Sequence, residues 1–289
     1  MKQDERIAKI RGGRWIRYAR AEYINARLDD LLQQPKSHRM PNLLIVGDTN
    51  NGKTALVNRF LAQHQPQAAS DGTTSCIPIV SVQAPPLPDE RRFYQAILSK
   101  VFAPFRPSRT AANLQFETVQ LLASVGVKML IIDEIQHVLA GPTLKQRHFL
   151  NVIKYLGNEL QIPIVAVGTR DAFNAIQTDP QLANRFEPEL IGRWTMTDDY
   201  VRLLASFEVA FRLARPSALV DRTLAQKILN LSEGTIGEIS ALLTRAELDA
   251  IECGAEQITS ASLDRCGYIA PRDRRHPTTV AITGPSTYT

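Results

Sequence analysis

The sequence predicts an α/β fold, a parallel five-stranded sheet in the order 5-1-4-3-2 followed by a C-terminal helical lid. Three observations carry that prediction. The run Gly47-Asp48-Thr49-Asn50-Asn51-Gly52-Lys53-Thr54 fits G-x-x-x-x-G-K-[ST], a loop that cradles phosphate groups. About 80 residues further on, Met129-Leu130-Ile131-Ile132-Asp133-Glu134 reads as a buried strand ending in two carboxylates. Beyond Thr197 the apolar residues fall at helical spacing throughout.

The chain has 289 residues, 44% of them hydrophobic, enough for one large α/β domain and a smaller one. A net charge of +5 permits nucleic-acid binding without requiring it. Cys76, Cys253 and Cys266 lie far apart with no metal or redox spacing, as suits a reducing cytoplasm. No apolar run is long enough for a membrane span and the first residues lack a signal-peptide core, so a cytoplasmic location is expected.

Residues 1–40 read as a basic, partly amphipathic helical extension. Ile7, Ile10, Ile16, Leu28 and Leu31 alternate with Arg11, Arg14, Arg17, Arg20 and Arg27, and Pro35 and Pro41 bracket a hinge. The arginines suit either a phosphate backbone or a solvated helix face. Residues 42–46 form the first strand and 55–63 a helix, so the phosphate loop lies between a strand and a helix as its chemistry requires. Gly47 and Gly52 let backbone N–H groups turn inward, and the helix N-terminus adds positive potential. Lys53 supplies a full charge to the β- and γ-phosphates of ATP, and Thr54 a hydroxyl to Mg²⁺.

The second strand covers residues 77–82, with Pro78 marking an edge or a strand start. A stiff connector, Ala84-Pro85-Pro86-Leu87-Pro88, leads to a helix carrying Arg91 and Arg92. A Pro- and Arg-rich loop with Arg106 and Arg109 precedes another helix from about Thr110. At the end of the third strand, Asp133 is placed to hold Mg²⁺ and Glu134 to act as general base on the attacking water. The fourth strand, residues 162–168, ends before Thr169, which either orients that water or caps the next helix, roles that are compatible. Arg185 precedes a fifth apolar segment over residues 190–194, where its side chain is free to project from the domain. Residues 41–195 thus form the nucleotide domain, 196–270 the helical lid, and 271–289 a basic, disordered tail.

At its motifs the chain resembles the AAA+ ATPases of the TniB family, with TnsC proteins sharing much of the pattern. The resemblance lies in Arg39-Met40-Pro41-Asn42-Leu43-Leu44-Ile45-Val46-Gly47-Asp48, the phosphate loop, Ile132-Asp133-Glu134-Ile135-Gln136-His137, Val167-Gly168-Thr169 and Asn184-Arg185-Phe186. It implies a bacterial regulator of DNA transposition that binds ATP and Mg²⁺ and assembles on double-stranded DNA as a hexameric ring or helical filament. The partners it implies are a DDE transposase and a TniQ-like targeting protein. It also implies that Thr169 is sensor 1 and that Arg185 is the finger offered to a neighbouring subunit. By the same matching Arg91, Arg92, Arg106, Arg109 and Thr110 touch the DNA backbone. One departure stands out, because several relatives carry a sensor 2 arginine where this chain has Glu238. A helicase loader or replication initiator of the same build, and a nucleotide-gated scaffold that does not bind DNA, are the competing functions.

Overall fold

The computed structural model describes residues 3–68, 75–103, 109–139, 141–177 and 183–275. Contacts group Ala19–Gly192 into one unit and Met1–Tyr18 with Arg193–Thr289 into another. The boundary falls inside the stretch read from sequence as one N-terminal extension. Helix α1 (Gln3–Arg11) belongs to the second unit, and α2 (Ala19–Leu32) to the first.

The larger unit is built on strands β1 (Asn42–Gly47), β4 (Ile79–Gln83), β5 (Met129–Asp133), β6 (Ile164–Gly168) and β7 (Phe186–Ile191), all paired in parallel. A short antiparallel pair, β2 (Gln67–Ala68) and β3 (Ser75–Cys76), stands apart. The sheet order is β4-β5-β6-β1-β7, which is the expected 5-1-4-3-2 read from the other edge. Central strands buried on both faces read as continuous apolar runs, which is why 43–46, 129–132 and 164–167 were visible as strands.

The fifth strand begins at Phe186, four residues earlier than the apolar pattern suggests. Glu187, Pro188 and Glu189 interrupt the hydrophobic run, yet all three pair with β1. Pro188 is tolerated because β7 is an edge strand. Helix α2 supplies the missing partners: Arg20 donates to Glu189 at 2.6 Å and to the Leu190 carbonyl at 2.9 Å, and Arg27 donates to Glu187 at 2.5 Å. These two arginines therefore hold a helix to its own domain.

Helices α3 (Lys53–Gln63), α4 (Glu90–Lys100), α5 (Ala111–Ser124), α6 (Gln136–Leu139), α7 (Thr143–Leu160) and α8 (Arg170–Gln177) complete this unit. Asp89 and Thr110 cap α4 and α5 by accepting from the N–H groups of Arg92 and Asn113. Leu44, Leu130 and Ile132 of the sheet share a core with Phe93 and Phe149, whose rings lie 4.9 Å apart.

The smaller unit is all-helical: α9 (Asp198–Ala210), α10 (Arg222–Ser232), α11 (Ile236–Glu252), α12 (Ser260–Arg265) and α13 (Pro271–Arg275). Thr197, Asp221 and Thr259 cap three of them. Ile16 joins Tyr200, Leu203, Phe207, Ile239 and Leu242 in its core, so the chain's start packs into the helical unit. Two arginines secure that start. Arg6 makes a bidentate pair with Glu256, both bonds at 2.7 Å, and Arg14 pairs with Glu247 while donating to the Ala210 carbonyl at 2.8 Å. The stretch read as a disordered tail begins as helix α13, because Arg274 and Arg275 pair with Glu238 and Glu233; residues 276–289 lie outside the described residues.

Glu247 is fully buried, and burial pushes its carboxyl above the usual range while Arg14 pulls it back. Its folded pKa is raised, so its contribution is most favourable at low pH and declines as pH rises through the folded value. Arg14→Leu strips the carboxylate of its countercharge and should cost about 3 kcal/mol near neutral pH. The loss should shrink toward pH 5, where the isolated carboxyl takes up a proton. Urea unfolding of wild type and variant at several pH values checks this, and a loss that grows on acidification would contradict it.

Candidate functional site

Parallel pairing brings the carboxyl ends of β1, β5, β6 and β7 to one edge of the sheet. There the phosphate loop leaves β1 at Gly47 and enters α3 at Lys53. A Cβ on Gly47 would lie 3.0 Å from the Ile191 carbonyl and 3.2 Å from the Ile191 Cβ, so the close approach of β7 requires glycine here. Gly52 adopts φ 78° and Asn50 φ 60°, left-handed turns that fold the loop over the helix N-terminus. Thr49 and Asn50 are exposed on the loop, whereas Asn51 is buried.

Lys53 is also buried, and its ammonium donates to the Gly47 and Asp48 carbonyls at 2.9 and 2.8 Å. Burial pulls its pKa below the ordinary lysine value, while the charges of Glu134, Asp133 and Asp48 support the protonated form. The Thr54 hydroxyl donates to Asp133 Oδ2 at 2.8 Å, so the loop and the acidic strand end meet as the sequence motifs require. The other Asp133 oxygen accepts from the Glu134 N–H at 2.8 Å. Glu134 itself sits at φ 55°. Thr169 follows β6, and its hydroxyl oxygen is buried without a hydrogen-bond partner.

Arg185 lies elsewhere. Its carbonyl accepts from Asn42 N–H at the start of β1, and its guanidinium donates to Asn158 at 3.1 Å. That places it at the amino-terminal end of the sheet, a strand length of roughly 17 Å from the phosphate loop. Of the residues read as DNA contacts, Arg91 and Arg92 are exposed on the first turn of α4. Arg109 pairs with Glu117, the Thr110 hydroxyl caps α5, and Arg106 lies outside the described residues. Glu238 is buried and accepts from Tyr268 at 2.6 Å and from Arg274.

The sequence places Asn51 in the phosphate loop and Gln136 just after the strand-end carboxylates, but it gives no sign of the bonds they make, nor of Arg170. The Asn51 amide donates to the Ile191 and Gly192 carbonyls at 2.8 and 3.0 Å, tying the loop to β7. Arg170 stands 3.3 Å from Asp48. Gln136 contacts both Glu134 and the backbone of Thr169. These contacts have no signature of their own, since each joins residues far apart in sequence or is made by an ordinary amide. Among the described residues no cluster of three His, Cys, Asp or Glu side chains is able to hold a metal, and no helix is long and apolar enough to cross a membrane.

The sheet order, the phosphate loop and the helical unit define the fold of the AAA+ ATPases. Solved structures agree at low identity. The ORC2 protein of Aeropyrum pernix, in ADPNP–ADP complexes, superposes with a TM-score of 0.60 at 16% identity, over 85% of this chain and 66% of that one. Cdc6p from Pyrobaculum aerophilum gives 0.60 at 18%, over 86% and 67%. The Aeropyrum pernix ORC1 protein in complex with DNA gives 0.58 at 18%, over 86% and 63%. This chain thus spans about two-thirds of the length of those proteins. The family model of the bacterial TniB protein matches residues 6–196, and the chain belongs to the TniB family. No curated protein matches it.

The Asn51 clip yields a prediction. Asn51→Ala removes one buried and one partly buried hydrogen bond and should lower stability by about 1–2 kcal/mol. It should also speed hydrogen exchange of the loop amides from Asp48 to Thr54. Amide exchange followed by mass spectrometry reads the loop directly, and unchanged protection would mean that Asn51 does not restrain it.

Proposed function

We propose that this protein is an ATP-hydrolysing regulator of DNA transposition that assembles on duplex DNA. The observation that carries the ATPase reading is the meeting of Lys53, Thr54, Asp133 and Glu134 at one edge of the sheet. The donor set fits Mg²⁺: Thr54 Oγ1 and Asp133 Oδ2 are hard oxygens 2.8 Å apart, and Mg²⁺ is commonly held by one or two carboxylates plus substrate phosphates. Bound between them, Mg²⁺ would neutralise charge on the phosphates.

The chain's own residues do the rest. Loop N–H groups and Lys53 bind the phosphates and orient the terminal one. Glu134 takes a proton from the attacking water. The Thr169 hydroxyl, buried without a partner, would orient that water. Arg185 is too far along the sheet to serve its own loop, which favours a role on the nucleotide of a neighbouring subunit in a ring or filament. Glu238 cannot serve as a sensor 2 cation, so turnover should be slow and nucleotide acts largely as an assembly signal.

Membership of the TniB family supports the transposition reading, with a DDE transposase and a TniQ-like protein as partners. The likeness to an ORC1 protein in complex with DNA is consistent with duplex DNA as the track. Within the expected contact set Arg91 and Arg92 suit phosphates best, because both are exposed on the first turn of α4, although Arg92 also pairs with Asp89 at 3.5 Å.

Lys53→Ala should abolish ATP binding, and Glu134→Gln should retain binding but lose turnover by a factor of at least about 100. Nucleotide binding by fluorescence and phosphate release in parallel test both, and wild-type turnover by Glu134→Gln would remove the base assignment. For DNA, Arg91→Ala/Arg92→Ala should weaken binding equally on two unrelated duplexes. It should flatten the log–log salt dependence by about 2, since each phosphate contact adds roughly −0.9 to the slope. Titrations at several salt concentrations with ATP present read this, and an unchanged slope would place the DNA surface on other residues.

A further inference from the structure

Gln136, in the short helix that follows β5, lies between two groups the proposed mechanism uses. Its Nε2 donates to Glu134 Oε2, and its Oε1 accepts from the Thr169 N–H at 3.3 Å. An ionised carboxylate only accepts and a backbone N–H only donates, so a single orientation of the amide satisfies both. Gly168 makes the room. A Cβ there would stand 2.9 Å from Gln136 Oε1 and 2.8 Å from Ile135 Cγ2, contacts real structures do not show. The Gln136 amide occupies one Glu134 oxygen and leaves Oε1 to take a proton. The hydroxyl of Thr169, whose N–H Gln136 holds, is buried and lacks a partner.

We infer that Gln136 is a positioning residue: its amide fixes the Glu134 carboxylate and locks it to the strand end that carries Thr169, so that base and hydroxyl are set against the same water. The inference rests on Glu134 being the base. General-base assistance depends on a carboxylate held within hydrogen-bond reach of the water, and a swinging side chain spends little time there.

Two substitutions separate this role from a merely structural one. Gln136→Met keeps the length and approximate volume of the side chain and removes both hydrogen bonds. It should lower kcat roughly tenfold or more, a share of the 10²–10⁴ that a general base supplies, with KM for ATP changed less than about twofold. Gln136→Glu keeps an acceptor for the Thr169 N–H but sets a second carboxylate against Glu134. Neighbouring carboxylates share a proton, which raises the pKa of one of them. The acid limb of the kcat profile should therefore move to higher pH, with activity low near pH 7 and recovering toward about pH 9. A folding defect would not be repaired by alkali.

The experiment is steady-state ATP hydrolysis by the full chain with saturating duplex DNA, from about pH 6 to about pH 9, for wild type, Gln136→Met, Gln136→Glu and Glu134→Gln. A lowered kcat in Gln136→Met together with the shifted profile of Gln136→Glu supports the inference. An inactive Glu134→Gln beside a wild-type Gln136→Met overturns it while leaving the base in place. A Gln136→Met that outpaces wild type also overturns it, because the amide would then restrain the base. Wild-type turnover by Glu134→Gln removes the base reading, and this inference with it.

Discussion

The hydrogen bond from Thr54 to Asp133 joins residues 79 positions apart, and the candidate site depends on what makes that bond possible. Asp133 pairs with Gln83 on one side, and one residue before it Ile132 pairs with Ala166. Side chains alternate faces along a strand, so a slip of one residue would turn Asp133 away from the loop and bring an apolar neighbour in its place. Both faces of β5 and β6 are packed, so the same shift would also exchange side chains between two cores fitted to other shapes, which opposes it. The register that packs both faces thus also aims the acid.

Much of this was legible in the sequence. The phosphate loop is defined by spacing alone, and the central strands are apolar on both faces, so pattern and structure coincide there. The fifth strand was misplaced for a physical reason. At an edge, half-exposed position, Glu187, Pro188 and Glu189 look like loop, and only the arginines of α2 make the buried Glu189 tolerable. From sequence the same arginines suited a phosphate backbone or a solvated helix face. An arginine row reads alike whether its acids lie on DNA or 160 residues further along the chain. Gln136 stands in a motif of the resemblance, but the motif does not show its contacts, which are two bonds and the room left by Gly168.

Glu238 shows how a departure from a motif is absorbed. A buried carboxylate needs donors, and here Tyr268 and Arg274 provide them, which draws the following helix onto the lid. Arg275 repeats the arrangement at Glu233. The acid that stands where several relatives carry a cation thus recruits one from 36 positions away. Burial, first, and the hydrogen bond to Glu238 both keep the proton on the Tyr268 phenol, and only Arg274 pulls the other way.

The opposed positions of Arg185 and the phosphate loop, at the two ends of one sheet, bear on symmetry. A contact in which one subunit's arginine meets its neighbour's nucleotide joins unlike surfaces, so it is heterologous. Such a contact is not self-complementary, and a two-fold dimer cannot satisfy it on both sides. In the proposed assembly each added subunit would leave one bare loop at one end and one bare arginine at the other. Growth would stop only where rotation closed the circle or the track ended, and on DNA the pitch of the duplex would decide which came first.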